Sequence, residues 1–289
     1  MSETSASDRR TITLADGRTL GYAEYGAPGG APVVNCHGGL MCRLDVAPAH
    51  DDLVRLGARV ISPDRPGIGA SDRSPGRSTA DFAADVAELL DALGIERTAV
   101  MGWSFGGQYA IGVAARLPDR VTRLAVIAGC LPLDDPATFG ELNAMDRRYT
   151  WLSRHARPGA RVMFSALSMF ARRAPARVAE REAKHSPEPD AVALRAAGDW
   201  FGRALAEGTR NPAGVVDDYL AAVAPWGFVA GEVQVPSLVH QGSADSLVPP
   251  SWAARLAAAI PRAQVKAYEG EGHMIALSRR AEIVGELLA

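Results

Sequence analysis

The stretch Val100–Ala110, VMGWSFGGQYA, decides how this chain is read. An apolar run ends in Gly102-Trp103, a serine follows at position 104, and Phe105-Gly106-Gly107 opens a segment with helical spacing. Glycine loses conformational entropy on folding and weakens a helix it enters, so bare backbone on both sides of the serine needs a reason. A sharp strand-to-helix turn supplies one. Such a turn strains the residue at its tip and crowds its flanks, so glycine is required two residues before and two after, at Gly102 and Gly106. Ser104 is then lifted out of a sheet as a candidate nucleophile. The Phe105 amide, at the start of the new helix, is placed to help stabilise an oxyanion.

Outward from this turn, strand and helix alternate. ARVISPDRPG reads as a strand, STADFAADVAELLDALGI as an amphipathic helix, TAVMGWS as a strand, FGGQYAIGVAARL as a helix and VTRLAVIAG as a further buried strand. Earlier, TITLADGRTLGYAEYG carries an Asp16-Gly17 turn between two alternating runs, the signal of a hairpin, and APVVNCHGG is a short apolar run ending in glycines. Continuous apolar strands alternating with helices predict an α/β fold with a mostly parallel central sheet of about eight strands, flanked by helices on both faces. From Leu131 to Val233 no strand pattern is found, only helix-like segments punctuated by Pro158, Pro175, Pro187, Pro189, Pro212 and Pro225. This region reads as a helical cap inserted after strand six. The chain thus divides into a core of residues 1–130 and 234–289 and a cap of residues 131–233. Alternation resumes with VPSLVHQG, the helix SWAARLAAAI, the strand AQVKAYEG and a terminal helix RRAEIVGELL.

Composition narrows the function. With 289 residues, 47% of them hydrophobic, the chain can bury one large core, and a net charge of −2 without a long basic run argues against a nucleic-acid partner. The opening MSETSASDRR is polar, which predicts a frayed tail and no secretory signal. No run of residues approaches the length of a membrane span, so no membrane partner is expected. Cys36, Cys42 and Cys130 make an odd count without metal spacing. They suggest buried thiols in a reducing, cytoplasmic setting and no metal.

In a parallel sheet of this kind ligands sit at the carboxyl ends of the strands. His273, in EGEGHMIAL after the last strand, is the best placed of six histidines to act as base for Ser104. His240 lies inside an apolar strand and reads as a core residue, while His155 and His185 fall among cap arginines and read as solvated. A carboxylate must fix the base's tautomer. Asp245, in HQGSADSLVPP, is preferred, with Asp134 and Asp135 as alternatives after the preceding strand. HGGL, His37 to Leu40, follows the early strand and offers unhindered amides. The Gly39 N–H is the second candidate oxyanion donor, and His37 is expected to hold the loop.

With these residues in place the chain resembles the α/β-hydrolase fold superfamily, over nearly its whole length. The resemblance is carried by HGG, DRPGIGASD, GWSFGG, PWGF, GSADSLVP and GEGH, and it implies the order Ser104, Asp245, His273 for a catalytic triad. It also implies that Asp64 is a structural loop residue. GIGASD lacks the third glycine and the following helix of a dinucleotide loop, so no cofactor is expected. A serine at the nucleophile position disfavours the aspartate-dependent dehalogenases and epoxide hydrolases of the same fold. One departure bears on the oxyanion loop: relatives commonly carry proline soon after the His-Gly pair, where this chain has Leu40 and Met41.

The cap carries Phe139, Met145, Trp151, Met163, Phe164, Met169, Phe170, Trp200, Phe201 and Trp226, most of which are expected to pack it onto the sheet. Leu40 and Trp103 are candidate substrate contacts in an apolar pocket beside Ser104. The expected function is hydrolysis of a small to medium, largely uncharged ester through an acyl-enzyme. C–C bond hydrolysis, aminopeptidase-like amide hydrolysis and thioester hydrolysis on the same triad are the alternatives, with a non-catalytic small-molecule receptor behind them. An aminopeptidase would need carboxylates in the cap, for which Glu180, Glu182, Glu207, Asp217 and Asp218 are candidates. The arginines from Arg147 to Arg181 read first as a solvated face, with attraction of an anionic substrate group as the alternative.

Overall fold

The computed structural model describes residues 9–289, so most of the tail expected at the N-terminus lies outside the described residues, and Arg10 already begins a strand. The sheet has eight strands: β1 (Arg10–Thr13), β2 (Thr19–Gly26), β3 (Ala31–Cys36), β4 (Ala58–Pro63), β5 (Thr98–Trp103), β6 (Val121–Ile127), β7 (Ser237–Gly242) and β8 (Ala263–Tyr268). Their spatial order is β1-β2-β4-β3-β5-β6-β7-β8. β2 runs antiparallel to both neighbours, and every pairing from β4 through β8 is parallel. The sheet is therefore the mostly parallel, helix-flanked one that the apolar runs imply.

Alternation along each strand builds two cores. Val34, Ile61 and Val100 point to one face, where they meet Phe82 and Leu89 of α2 (Phe82–Ala92) and Tyr109 and Ile111 of α3 (Phe105–Arg116). Val33, Val60, Ala99 and Met101 point to the other, against Leu53 of α1 (His50–Arg55) and Ile283 and Val284 of α13 (Arg280–Leu288). Burial on both faces is why these strands read as continuous apolar runs. The single turn α1 and the 3₁₀ segment Arg43–Ala49 before it were not anticipated, because six residues are too few to show a helical period.

Between β6 and β7 the chain forms α4 (Pro136–Glu141), α5 (Ala144–His155), α6 (Arg157–Arg173), α7 (Pro175–His185), α8 (Glu188–Ala196), α9 (Trp200–Gly208) and α10 (Pro212–Ala222). Most of the prolines that punctuate this stretch start helices: Pro136, Pro158, Pro175, Pro189 and Pro212 each occupy a first-turn position. There the missing N–H has no acceptor to lose and the fixed φ already suits a helix. α11 (Trp252–Ala259) and α12 (Ile275–Ser278) follow β7 and β8.

Buried charge pins the inserted helices to the sheet. Arg65, just past β4 and fully buried, donates from Nε and Nη2 to the two oxygens of Asp218 on α10 at 2.9 and 2.8 Å, and Arg77 adds a third bond at 2.6 Å. Burial pushes the Asp218 carboxyl up, but the two guanidiniums outweigh it and hold the group down at about 2. Arg43 bridges Asp64 and Glu207 of α9, at 2.9 Å to each. Asp64 also accepts the Arg43 and Ala70 amides, at 2.6 and 2.8 Å, and so organises its loop.

Two changes test this construction. Gly106→Ala would drive a Cβ into the Cys36 and His37 carbonyl oxygens, both of them backbone atoms at the end of β3. It is expected to lower unfolding free energy by about 3 kcal/mol or more in urea denaturation. Arg65→Met would strip Asp218 of its bidentate partner and is expected to cost about 3–5 kcal/mol by the same measurement.

Candidate active site

Ser104 stands alone between β5 and α3 with φ 55° and ψ −126°. Its N–H donates to the Ile127 carbonyl and its carbonyl accepts from the Gly107 N–H, each at 2.9 Å. Such a backbone costs about 1–3 kcal/mol and persists only where its surroundings enforce it. Enforcement here is steric. An added Cβ at Gly102 would overlap the Gly106 carbonyl, and one at Gly106 would overlap the end of β3. Among the described residues the non-glycine positions with positive φ are Leu40, Ser104 and Ala128, all just past strands at the carboxyl edge of the sheet.

His273 lies in the loop between β8 and α12, with only 3% of its surface exposed. Its Nδ1 is 2.9 Å from Oδ2 of Asp245, which follows β7. The same carboxylate accepts from Gln241 Nε2 at 3.0 Å and from the Leu247 and Val248 amides at 2.8 and 2.9 Å. Burial pushes Asp245 up, yet the His273 charge and these donors outweigh it and leave it below the ordinary carboxylate value. Burial likewise pushes His273 down, and Asp245, then Asp190 and Asp146, reverse this and raise it. Trp103 closes the assembly: its Nε1 donates to the His273 carbonyl at 3.2 Å, and the two rings lie 5.4 Å apart. Of the alternative acids, Asp135 is committed to capping α4, where it accepts the Ala137 and Thr138 amides, and Asp134 is exposed.

The His37–Leu40 loop lies directly on the aromatics that flank Ser104. A Cβ at Gly38 would come within 2.9 Å of Trp103, and one at Gly39 within 2.9 Å of Phe105. His37 holds the loop from below: Nδ1 meets the Gly38 carbonyl at 3.0 Å and Nε2 accepts the Arg65 N–H at 3.1 Å. Arg65 Nη1 and Nη2 bond the His37 and Gly38 carbonyls, so the ion pair to Asp218 also sets this loop. Leu40 has φ 59°, a value closed to proline. The Phe105 N–H opens α3, where first-turn amides have no intrahelical acceptor.

Ser104, His273, Gly39, Leu40, Trp103 and Phe105 all line one cavity of about 360 Å³, beneath α5, α6, α7 and α9. Met145, Leu167, Phe170, Val178, Phe201 and Leu205 supply an apolar wall. The apolar pocket expected from the sequence has a charged part as well, because Asp146, Arg181, Glu182 and His185 line it too. Arg181 and His185 are exposed, as the solvated reading expects, and line the cavity as well. Of the carboxylates considered for the cap, Glu182 reaches the cavity, while Asp218, Asp217 and Glu207 are paired with arginines and Glu180 faces Lys184 and Arg195. Burial raises both Glu182 and Asp146.

Asp146, Tyr219 and Tyr149 were not picked out from the sequence, although all three face the cavity. Asp146 accepts from Tyr219 Oη and Asn143 Nδ2, each at 2.8 Å, and Asn143 Nδ2 also reaches the Leu247 carbonyl in the Asp245 loop at 3.2 Å. In the sequence, Asn143 and Asp146 read only as a helix cap and a first-turn acid. His240 is a core residue, with Nδ1 3.0 Å from Tyr268 Oη. All three cysteines are buried and free, and burial pushes Cys36 up to about 12, far from a reactive thiolate. Among the described residues no three His, Cys, Asp or Glu side chains cluster as metal ligands, and no helix is long and apolar enough to cross a membrane.

Comparison with known proteins agrees with this architecture. A non-heme chloroperoxidase of Streptomyces lividans is 35% identical over 125 residues, 43% of this chain and 45% of that protein, so the match spans under half of the relative's length. A 2-hydroxy-6-oxononadienedioate/2-hydroxy-6-oxononatrienedioate hydrolase of Cupriavidus pinatubonensis is 27% identical over 281 residues, 93% of this chain and 90% of that protein. Among solved structures, an alpha/beta hydrolase fold protein from Nakamurella multipartita superposes with a TM-score of 0.70 at 23% identity, over 97% of this chain and 98% of that one. The family model described as alpha/beta hydrolase fold matches residues 31–279, and the chain belongs to that family.

Proposed function

We propose that this hydrolase cleaves small to medium esters through an acyl-enzyme on Ser104. The observation that carries the reading is the opening of Ser104, on its strained turn, into the same cavity as His273, whose Nδ1 is held by Asp245 at 2.9 Å. Because Asp245 accepts a hydrogen bond from Nδ1–H and so fixes the tautomer, Nε2 is the nitrogen left to act as base. Ser104 Oγ attacks the acyl carbon as its proton passes to Nε2, and the oxyanion is met by the Phe105 and Gly39 N–H groups. Imidazolium then protonates the leaving alkoxide. Water, deprotonated by the same nitrogen, attacks the acyl-enzyme and releases the acid. A cavity of about 360 Å³ lies at the small end of ligand pockets, which sets the size of the substrate. The helices between β6 and β7 act as the cap that covers it.

One observation favours a second reading. The near full-length relative is a hydrolase of 2-hydroxy-6-oxo dienedioates, and the same serine and histidine could direct water to a C–C bond beside a ketone. Arg181 in the cavity wall suits an anionic end of such a substrate.

Ser104→Ala is expected to lower p-nitrophenyl butyrate turnover by about 10³-fold or more and to abolish a fluorophosphonate adduct in intact-mass spectra. Unchanged turnover would end the proposal. An assay alongside a 2-hydroxy-6-oxo dienedioate ranks the two readings, and a higher kcat/KM for the latter would reverse their order. The base must be neutral, and its carboxylate neighbours raise His273 above 6.5, so kcat/KM is expected to fall on acidification through an apparent pKa above that value. Asp245→Asn should move that limb to lower pH and reduce turnover by about 10⁴-fold.

A further inference from the structure

We infer that Asp190, on α8 of the inserted helices, is a positioning residue for His273: its carboxylate grips the backbone of the histidine loop, so that seating the cap and placing the base are one event. Oδ2 accepts the His273 N–H at 2.9 Å and Oδ1 accepts the Met274 N–H at 2.7 Å. These are charge-assisted bonds to two consecutive amides at the entrance of α12, and Asp190 is only 3% exposed. The approach is built into the loop. An added Cβ at Gly272 would overlap the Asp190 carboxylate, so the residue before the histidine has no side chain where that carboxylate enters.

With Asp190 counted, each polar group of His273 that the site uses for orientation has a separate anchor. The ring is held by Asp245, after β7, and the carbonyl by Trp103, beside Ser104. The N–H alone is held by the segment between β6 and β7. A cap that lifts from the sheet therefore releases one of three anchors on the base. An error of about 1 Å at a reacting group can cost about 100-fold in rate, so one anchor is enough to matter. The inference rests on the reading of His273 as base.

Four carboxylates bear on the charge of the imidazole: Asp245 from the β7 loop, which touches the ring, and Asp190 from α8, Asp146 from α5 and Glu182 from α7. Removing the Asp190 charge should lower the His273 pKa while the other three remain. The test measures kcat, KM and the pH profile of Asp190→Ala and Asp190→Asn on p-nitrophenyl butyrate, with rates normalised to sites titrated by fluorophosphonate. Asp190→Ala is expected to lower kcat per titrated site by about 10- to 100-fold with little change in KM, and to move the acid limb to lower pH. Asp190→Asn, which keeps one acceptor, should fall between it and the wild type.

Gly272→Ala provides an independent variant, since it displaces the carboxylate without altering charge, and it should lower kcat in the same way. Normal kcat per titrated site with an unmoved acid limb would overturn the inference. So would a loss confined to the titratable fraction, which marks a purely structural role. Retention of ester turnover by His273→Ala would instead overturn the assignment of the base, whatever the Asp190 variants do.

Discussion

Everything at the carboxyl edge of the sheet depends on how closely the end of β3 approaches the turn after β5. Gly106 lies against the Cys36 and His37 carbonyls, and Gly102 against the Gly106 carbonyl, so no side chain separates the first strand end from the first turn of α3. This contact sets Ser104 in a left-handed conformation. Its cost, about 1–3 kcal/mol, is comparable to what a single fully buried side chain contributes, and α3 buries Tyr109, Ile111 and Val113 completely. The turn can therefore be strained without endangering the fold. The same approach packs Gly38 against the Trp103 ring and Gly39 against the Phe105 ring, the two side chains that flank Ser104 in sequence.

The inserted helices are joined to that edge by polar anchors as well as by apolar packing. Asp218 of α10 meets Arg65, Glu207 of α9 meets Arg43, Asp190 of α8 meets the His273 and Met274 amides, and Asn143, at the start of α5, meets the Leu247 carbonyl. Each of these partners lies beyond the end of a strand. Buried ion pairs add little net stability over an apolar contact of the same size, because desolvation offsets most of the attraction. What they supply is register. Apolar faces can slide, whereas Arg65 matches both oxygens of Asp218 in one arrangement only.

Legibility in the sequence followed from how local each signal is. Ser104 and His273 stood out because each follows a strand with its glycines beside it. Asp245 is preferred in the sequence, but Asp134 and Asp135 stay as alternatives there, since all three follow apolar strands. The distinction came from reach: Asp135 turns inward to cap its own helix, and Asp245 turns toward the histidine. Asp146 and Asp190 were hidden for a related reason. Both occupy the first turn of a helix, where an acidic residue is ordinary, and nothing local shows that their oxygens are directed elsewhere. The charged part of the pocket wall is hard to read in sequence because Arg181, Glu182 and His185 follow one another along α7 among other charged residues.

By itself, then, the sequence determined the α/β alternation, the strand-to-helix turn with Ser104 at its tip, and His273 in the loop after the last strand. Periodicity and glycine clearance act over a few neighbouring positions, and both are written in the chain. Tertiary structure set the Asp245 carboxylate against the His273 ring, and it alone decided which charges face the cavity and how the inserted helices grip the His273 loop. Those outcomes depend on hydrogen bonds between residues 28 and 83 positions apart, whose partners are chosen by reach and burial after the chain has closed.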